Sequence, residues 1–525
     1  MTCKQNSIFV NTIPESGWTT NNQPKKVDKI NNHSKTLPMN KIIFIFTSLL
    51  IFSIIGCQSE KPAEVDTSTV IKPVASAEKK SGPIVVSGNI LNAGNSKIEL
   101  SHNNTKRTGV IREGEFRIDH LIAEPGIYNL VYNGQKIPLF LRPNEEVIVD
   151  FDALKISTTA KFSGTDPTSQ KYLLLKSQNN PLTYKQMRKL ATLSEKDFMA
   201  KANEIRTREA AFFEKFKKEN TELKDDFALF EATEIQYNWA KQYNDYQLYH
   251  AFYNQQEAYK ASPELMAYTE ELDLNNDELM ISEAYRNYLM AHVNQKASDQ
   301  VQQDLMNGEK IQTGLRAFEV VEKDHTSPKI KSFLLYTIFN QHLRSKGING
   351  SEDLYERFKK EVTNPAYIAE IDEAFQAWKH LKKGQVAPPF AYPDANGKKV
   401  SLEDLKGKVV YIDVWATWCG PCKVEIPHLE KLQKQFAGKS VAFVSVSIDQ
   451  NAVAWKKMIQ SKSMTGTQLL ADKAGNSQIC KDYKIQGIPR FILIDQSGNI
   501  INAQADRPSR GTIAGQIEAL LKDVG

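Results

Sequence analysis

The sequence predicts a multidomain chain built from a small β-sandwich, a helical middle domain and a C-terminal α/β domain. Three observations predict it. Apolar residues fall in short β-type runs up to about residue 160, then recur at helical spacing between about 164 and 383. The run Gly384-Gln385-Val386-Ala387-Pro388-Pro389 ends the helical pattern, because proline pushes the residue before it towards extended backbone. Beyond it, residues 409–414 form an apolar, β-branched stretch of the kind that fills a buried central strand. A length of 525 residues agrees with about three domains. Hydrophobic residues at 41% and charged residues at 25% exclude a largely disordered or fibrous chain. The net charge of +5 comes from 67 basic and 62 acidic residues spread along the chain, without the basic stripe that a nucleic-acid partner needs.

The first segment predicts export. Met39-Asn40-Lys41 precedes an apolar run over 42–55, and Gly56-Cys57 follows: a charged start, a short hydrophobic region and a small-residue cleavage point. A membrane-spanning helix wants about 20 apolar residues, so an uncleaved anchor is the weaker alternative. Ile54-Ile55-Gly56-Cys57 resembles the lipobox of bacterial lipoproteins, which implies that Cys57 carries lipid and becomes the mature N-terminus. The protein is then expected in the cell envelope, anchored to a bacterial membrane and facing the periplasm. Residues 1–38 are polar and without pattern, and an export signal belongs at the start of a chain. Met39 is therefore the expected start, 39–57 the signal peptide and 1–38 a non-native or untranslated leader that holds Cys3. Residues 58–80 are rich in Lys, Glu, Ser, Thr, Ala and Pro, a solvated tether.

Within 81–160, β-type runs occur at 84–86, 97–100, 115–118, 127–132, 138–141 and 147–151. Turn residues separate them, among them Asn92 to Asn95, Glu113-Gly114, Pro125-Gly126 and Asn133-Gly134, a spacing that suits a small sandwich or barrel. The segment resembles the β-domain found ahead of redox domains in envelope lipoproteins. Over 164–383, Ser194 with Asp197 makes a helix start, followed by Phe198, Ile205, Phe212 and Phe216 at helical spacing. Further helices are expected at 227–253, 329–343 and 367–382. The aromatic run Tyr237, Trp239, Tyr243, Tyr246, Tyr249, Phe252 and Tyr253 reads as helix packing rather than a ligand groove.

The chemistry lies in the last domain, 385–525. The five cysteines are too unevenly spaced for a disulfide framework. Cys419 follows the strand at 409–414 and opens a helix, where free backbone amides and the helix dipole favour a thiolate. It is the expected nucleophile. Pro421 fits the first turn, where its missing amide would have no partner. Cys422, three residues on, shares a face with Cys419 and can resolve a mixed disulfide there. A zinc site needs a second ligand pair that the sequence lacks, and the nine histidines show no paired ligand spacing, so no metal and no cofactor are expected. Cys480 reads as a small buried apolar residue. Asp413, alone in an apolar strand, is expected to be buried with a raised pKa, suited to accept the Cys422 proton.

Pro389-Phe390, Asp394 to Gly397, Val400-Ser401-Leu402, Leu405-Lys406-Gly407-Lys408 and Trp415-Ala416-Thr417-Trp418-Cys419-Gly420-Pro421-Cys422 together resemble the TlpA/ResA branch of the AhpC/TSA and thioredoxin superfamily. The resemblance covers 385–525. It implies a thioredoxin fold with a four- or five-stranded mixed sheet, and a loop Gly487-Ile488-Pro489 whose cis-proline faces the cysteines. Trp418, Ile488 and Pro489 would then contact the substrate. It also assigns Asp413 and Glu425, one helical turn past Cys422, as acidic residues of the site. The family usually has threonine after this proline, and here Arg490 stands in its place. The implied activity is dithiol-disulfide exchange, and the Gly-Pro pair, shared with thioredoxin at about −270 mV, favours a reductant. Implied partners are protein disulfides, apocytochrome c among them, and a membrane thiol carrier that supplies electrons. The alternatives are a thiol peroxidase, for which the sequence lacks a threonine-containing motif around a lone cysteine, and a binding or scaffolding lipoprotein with an accessory redox domain.

Overall fold

The structure, a computed structural model, describes residues 81–522 apart from 103–104, 123, 180–183, 256–258, 270–271 and 310–312. The expected signal peptide, Cys57, the tether and the leader lie outside the described residues. No helix among the described residues is long and apolar enough to cross a membrane.

The β-rich part comprises β1 Gly82–Leu91, β2 Lys97–His102, β3 Thr105–Arg112, β4 Glu115–Ile122, β5 Gly126–Tyr132, β6 Gln135–Leu141, β7 Glu146–Asp152 and β8 Lys161–Gly164. They form one sheet in the order β6-β5-β2-β3-β4-β1-β7-β8. Most of β3 pairs with β2, whereas its last residues, Ile111 and Arg112, pair with β4. Inward residues from both halves, such as Leu100, Leu130 and Leu139 on one side and Val86, Ile118 and Val149 on the other, meet in a single buried cluster. The two layers of the sandwich are thus one sheet folded over its own core. Glu113-Gly114 and Asn133-Gly134 have φ of 52°, 88°, 49° and 78°. Two successive positive values give the tight turn that matches the twist of a hairpin. The sheet extends past residue 160, where the sequence placed its end, through β8.

Helices then run over Pro167–Gln178, Tyr184–Ala191, Glu195–Glu219, Asp225–Tyr253, Pro263–Ala267, Glu283–Met306, Thr313–Asp324, Pro328–Lys346, Glu352–Glu361 and Pro365–Trp378. Ser194 caps the third: its Oγ accepts the Asp197 N–H at 3.2 Å and donates to the Asp197 carboxylate at 2.8 Å. Tyr237, Trp239, Tyr243 and Tyr246 are buried in the helical core. Phe140 of β6 packs with Tyr172, Phe213, Phe227 and Phe230 of three helices, so the sheet and the helices share a hydrophobic seam.

The last part carries a hairpin, β9 Ala391–Pro393 and β10 Lys399–Ser401, and a mixed five-stranded sheet. The sheet contains β11 Val409–Trp415, β12 Val441–Ser447, β13 Thr467–Leu470, β14 Arg490–Ile494 and β15 Ile500–Asn502, in the order β13-β12-β11-β14-β15. β11 is central, parallel to β12 and antiparallel to β14. Strand side chains alternate between faces. Val410, Ile412 and Val414 therefore join the cluster that continues into the helical domain, while Val409 and Tyr411 pack with Leu429 and Leu432 of helix Gly420–Gln435. Asp413 shares the parity of Val409 and Tyr411.

Candidate active site

Every residue of β11 is buried, and the chain leaves it at Trp415 to enter the helix at Gly420. The short connection is braced from β12. The Asp449 carboxylate, 5% exposed, accepts the Thr417 N–H at 2.9 Å and the Thr417 hydroxyl at 2.7 Å, and is itself held by the Ser447 hydroxyl at 2.7 Å. Cys419 is thereby fixed as the N-cap of helix Gly420–Gln435. Its sulfur accepts the Cys422 N–H at 3.1 Å, so an otherwise unpaired helix amide points at this sulfur. Cys419 and Cys422 are joined as a disulfide with a Cα separation of 5.3 Å. Both are buried, whereas Trp418 beside them is 66% exposed.

The Ile488–Pro489 peptide is cis. Arg490, the next residue, lies opposite Val414 in the antiparallel register, so Pro489 comes abreast of the end of β11 where the cysteine segment begins. Ile488 packs on the same cluster that contains both cysteines. Cys480, in contrast, is a buried thiol in helix Gln478–Asp482, and burial pushes its pKa up.

Two carboxylates are carried by the elements on either side of the cysteine segment, Asp413 by β11 and Glu425 by helix Gly420–Gln435. Asp413 is buried, and its Oδ1 has no hydrogen-bond partner. Burial, with a smaller contribution from the charge of Glu425, pushes its pKa up to about 8. Glu425, read from sequence against the alternative of a helix-surface charge, is only 5% exposed. Its carboxylate accepts the Ser509 N–H at 3.1 Å and the Ser509 hydroxyl at 2.8 Å, with the Arg507 guanidinium 3.9 Å away. The sequence reading missed Asp449, Ser509 and Arg507. Ser447-Ile448-Asp449 at the end of an apolar strand was the available signal for the first. The other two sit in a turn near the C-terminus, and nothing in the local pattern ties them to residue 425.

A helix-head dithiol with an acid kept protonated up to mildly alkaline pH can exchange disulfides and move the proton that each exchange requires. The Redoxin family matches residues 382–520. The thiol-disulfide oxidoreductase ResA of Bacillus cereus is 32% identical over 127 residues, 24% of this chain and 72% of that protein. The thioredoxin-like protein YneN of Bacillus subtilis is 38% identical over 125 residues, 23% of this chain and 69% of that protein. Among solved structures, the thioredoxin domain of a thiol-disulfide oxidoreductase from Bacteroides vulgatus is 33% identical, with 26% of this chain and 97% of that chain covered and a TM-score of 0.24.

Proposed function

Because the chain belongs, through its C-terminal domain, to the ResA-like thiol-disulfide oxidoreductases of the redoxin family, we propose that it is a lipid-anchored reductant of protein disulfides in the cell envelope. The enzyme class and the general substrate, a protein disulfide, follow from the family. The direction, the anchor and the clients are the proposal. In it, the Cys419 thiolate attacks one sulfur of a client disulfide, and the other client sulfur leaves as a thiolate that takes up the proton held by Asp413. Cys422 then gives up its proton and attacks the Cys419 sulfur, the client leaves fully reduced, and the Cys419–Cys422 disulfide holds the two oxidising equivalents. A membrane thiol carrier returns the dithiol form. The observation that carries the assignment is the Cys422 N–H on the Cys419 sulfur, since only that sulfur lies at the helix head.

Asp413, at about 8, is close enough to a thiol for proton transfer in either direction to be nearly balanced. In its ionised form, left once its own proton has gone to a departing client thiolate, it is the proposed acceptor of the Cys422 proton, Glu425 acts on it through charge, and Trp418, Ile488 and Pro489 form the client edge. The apolar run before Gly56-Cys57 supports lipidation at Cys57 and a periplasm-facing location. Apocytochrome c and oxidised protein thiols are the two proposed client classes.

The test is the full-length Cys422→Ser variant. It is expected to accumulate client proteins disulfide-linked to Cys419, identified by mass spectrometry of the envelope fraction. Adducts on Cys422 in wild-type turnover would reverse the assignment, and peroxide consumption without any protein adduct would favour a thiol peroxidase. Intact mass of the membrane-bound protein checks the anchor: it should begin at a lipidated Cys57.

A further inference from the structure

Arg490 follows the cis-proline, where the family pattern has threonine. Its side chain is only 7% exposed and does not line an open client surface. Burial pulls its pKa down to about 10, so a desolvated cation stands directly behind the active-site loop. Among the described residues no carboxylate pairs with it. The guanidinium approaches the Ala503 carbonyl at 3.5 Å and the Arg344 carbonyl at 3.4 Å, distances at which attraction is more electrostatic than a good hydrogen bond.

Arg344 belongs to the last turn of helix Pro328–Lys346 in the helical domain. Carbonyls there have no partner within the helix, and the helix end carries about half a negative elementary charge. The counter-charge for Arg490 is thus a helix terminus. The same terminus receives Gln504, whose Nε2 donates to the Arg344 carbonyl at 2.5 Å and the Leu343 carbonyl at 3.3 Å. Gly347 ends the helix with φ of 73°, and a Cβ there would stand 3.1 Å from Gln504 Cγ. The positive φ is strained for any other residue, and the close approach of the Gln504 side chain leaves little room for a Cβ.

We propose that Arg490 is a positioning residue that ties the cis-proline loop to the C-terminal end of helix Pro328–Lys346, so that the helical domain sets the client edge of the active site. The loop is then held from two sides, by the pairing of Arg490 with Val414 in the sheet and by the helix terminus behind it. This rests on the reading of Cys419 as an exchanger of protein disulfides.

The experiment uses the full chain with insulin as the probe disulfide, and compares wild type, Arg490→Thr, Arg490→Lys and Gln504→Ala. Arg490→Thr is expected to raise the KM for insulin roughly three- to tenfold while kcat changes by less than about twofold, the range that a lost coupling contact gives. Amide exchange should quicken at Gly487 and Ile488 together with residues 343–347. Arg490→Lys, which keeps the charge, should recover most of the KM. Gln504→Ala should move KM and loop exchange in the same direction, and it decides the matter if Arg490→Thr does not fold. Unchanged exchange at Gly487 and Ile488 in a folded variant whose helix end has loosened overturns the proposal, as does an unchanged KM. A wild-type protein that fails to reduce insulin would count against the proposed function, and loop exchange would still test the coupling.

Discussion

Asp413 stands between Ile412 and Val414 in a strand with no exposed side chain, and one of its oxygens has no partner. An acid whose folded pKa lies above its unfolded one keeps a proton that the unfolded chain gives up. Its contribution to stability is complete below about pH 4 and is lost as the pH rises through about 8. Asp413→Asn removes that loss, so the variant should gain stability over wild type by more than about 1 kcal/mol at pH 8.5 and by much less at pH 5, read from urea unfolding. It should also slow release of the client from Cys419, by about 10²-fold for a lost general base, while the attack by Cys419 changes less, as stopped-flow kinetics can separate. A stability gain with unchanged release from pH 6 to 8 would make Asp413 a buried burden and solvent the base. Asp413 was legible in the sequence because one charge among apolar β-branched residues has no solvated explanation. Asp449 was harder, since an aspartate after a strand is also ordinary turn chemistry.

Helix Gly420–Gln435 and the turn containing Ser509 meet at Glu425, and that junction tunes what lies on β11. A negative neighbour raises the pKa of an acid, so Glu425→Gln should move the pH midpoint of the client-release step downward. Burial is the larger cause of the shift, so the midpoint should stay above the usual carboxylate range. A midpoint that does not move would show that Glu425 serves packing alone. Other elements differed in how clearly they announced themselves. The Ser194 cap was readable because the hydroxyl and the acid three residues on satisfy a helix end locally. Strand β3 was not, because Thr105 to Thr108 are exposed and polar, with no alternation to detect. Helix Glu283–Met306 did carry a signal in Ala284, Tyr285, Tyr288, Leu289, Val293 and Ala297, which are buried at helical spacing. Intervening Arg, Asn, His, Gln and Lys residues diluted it.

The three parts are joined by buried seams that no local pattern records. Arg142, immediately after β6, is 9% exposed and pairs with Asp166 at 2.7 Å and Asp226 at 2.6 Å, with Glu145 at 3.4 Å. Asp166 caps helix Pro167–Gln178, and Asp226 lies in the first turn of Asp225–Tyr253. One guanidinium thus fastens the sheet to two helix starts. Arg142→Met should cost about 3–5 kcal/mol in full-length unfolding, because Asp166 and Glu145 remain buried with less compensation. A loss below about 1 kcal/mol would mean that Lys224, 2.9 Å from Glu145, and solvent take over. The passage from strands to helices and then to a mixed sheet was legible because periodicity changes and prolines intervene along the chain. Residues 84 apart in the chain, such as Arg142 and Asp226, give a single sequence no reason to be paired.

Strand β1 lies between β4, which it pairs antiparallel, and β7, which it pairs parallel. A ribosome therefore delivers the strand first and its second neighbour last. A nascent chain stopped before residue 146 can form the β1–β4 ladder, but the other edge of β1, from Val85 to Leu91, still waits for β7. Pairing across that separation is slow, and an open edge in the interval can recruit a strand from another chain. Assembly of the N-terminal part is thus gated by the arrival of residues 146–152, well before the cysteines emerge.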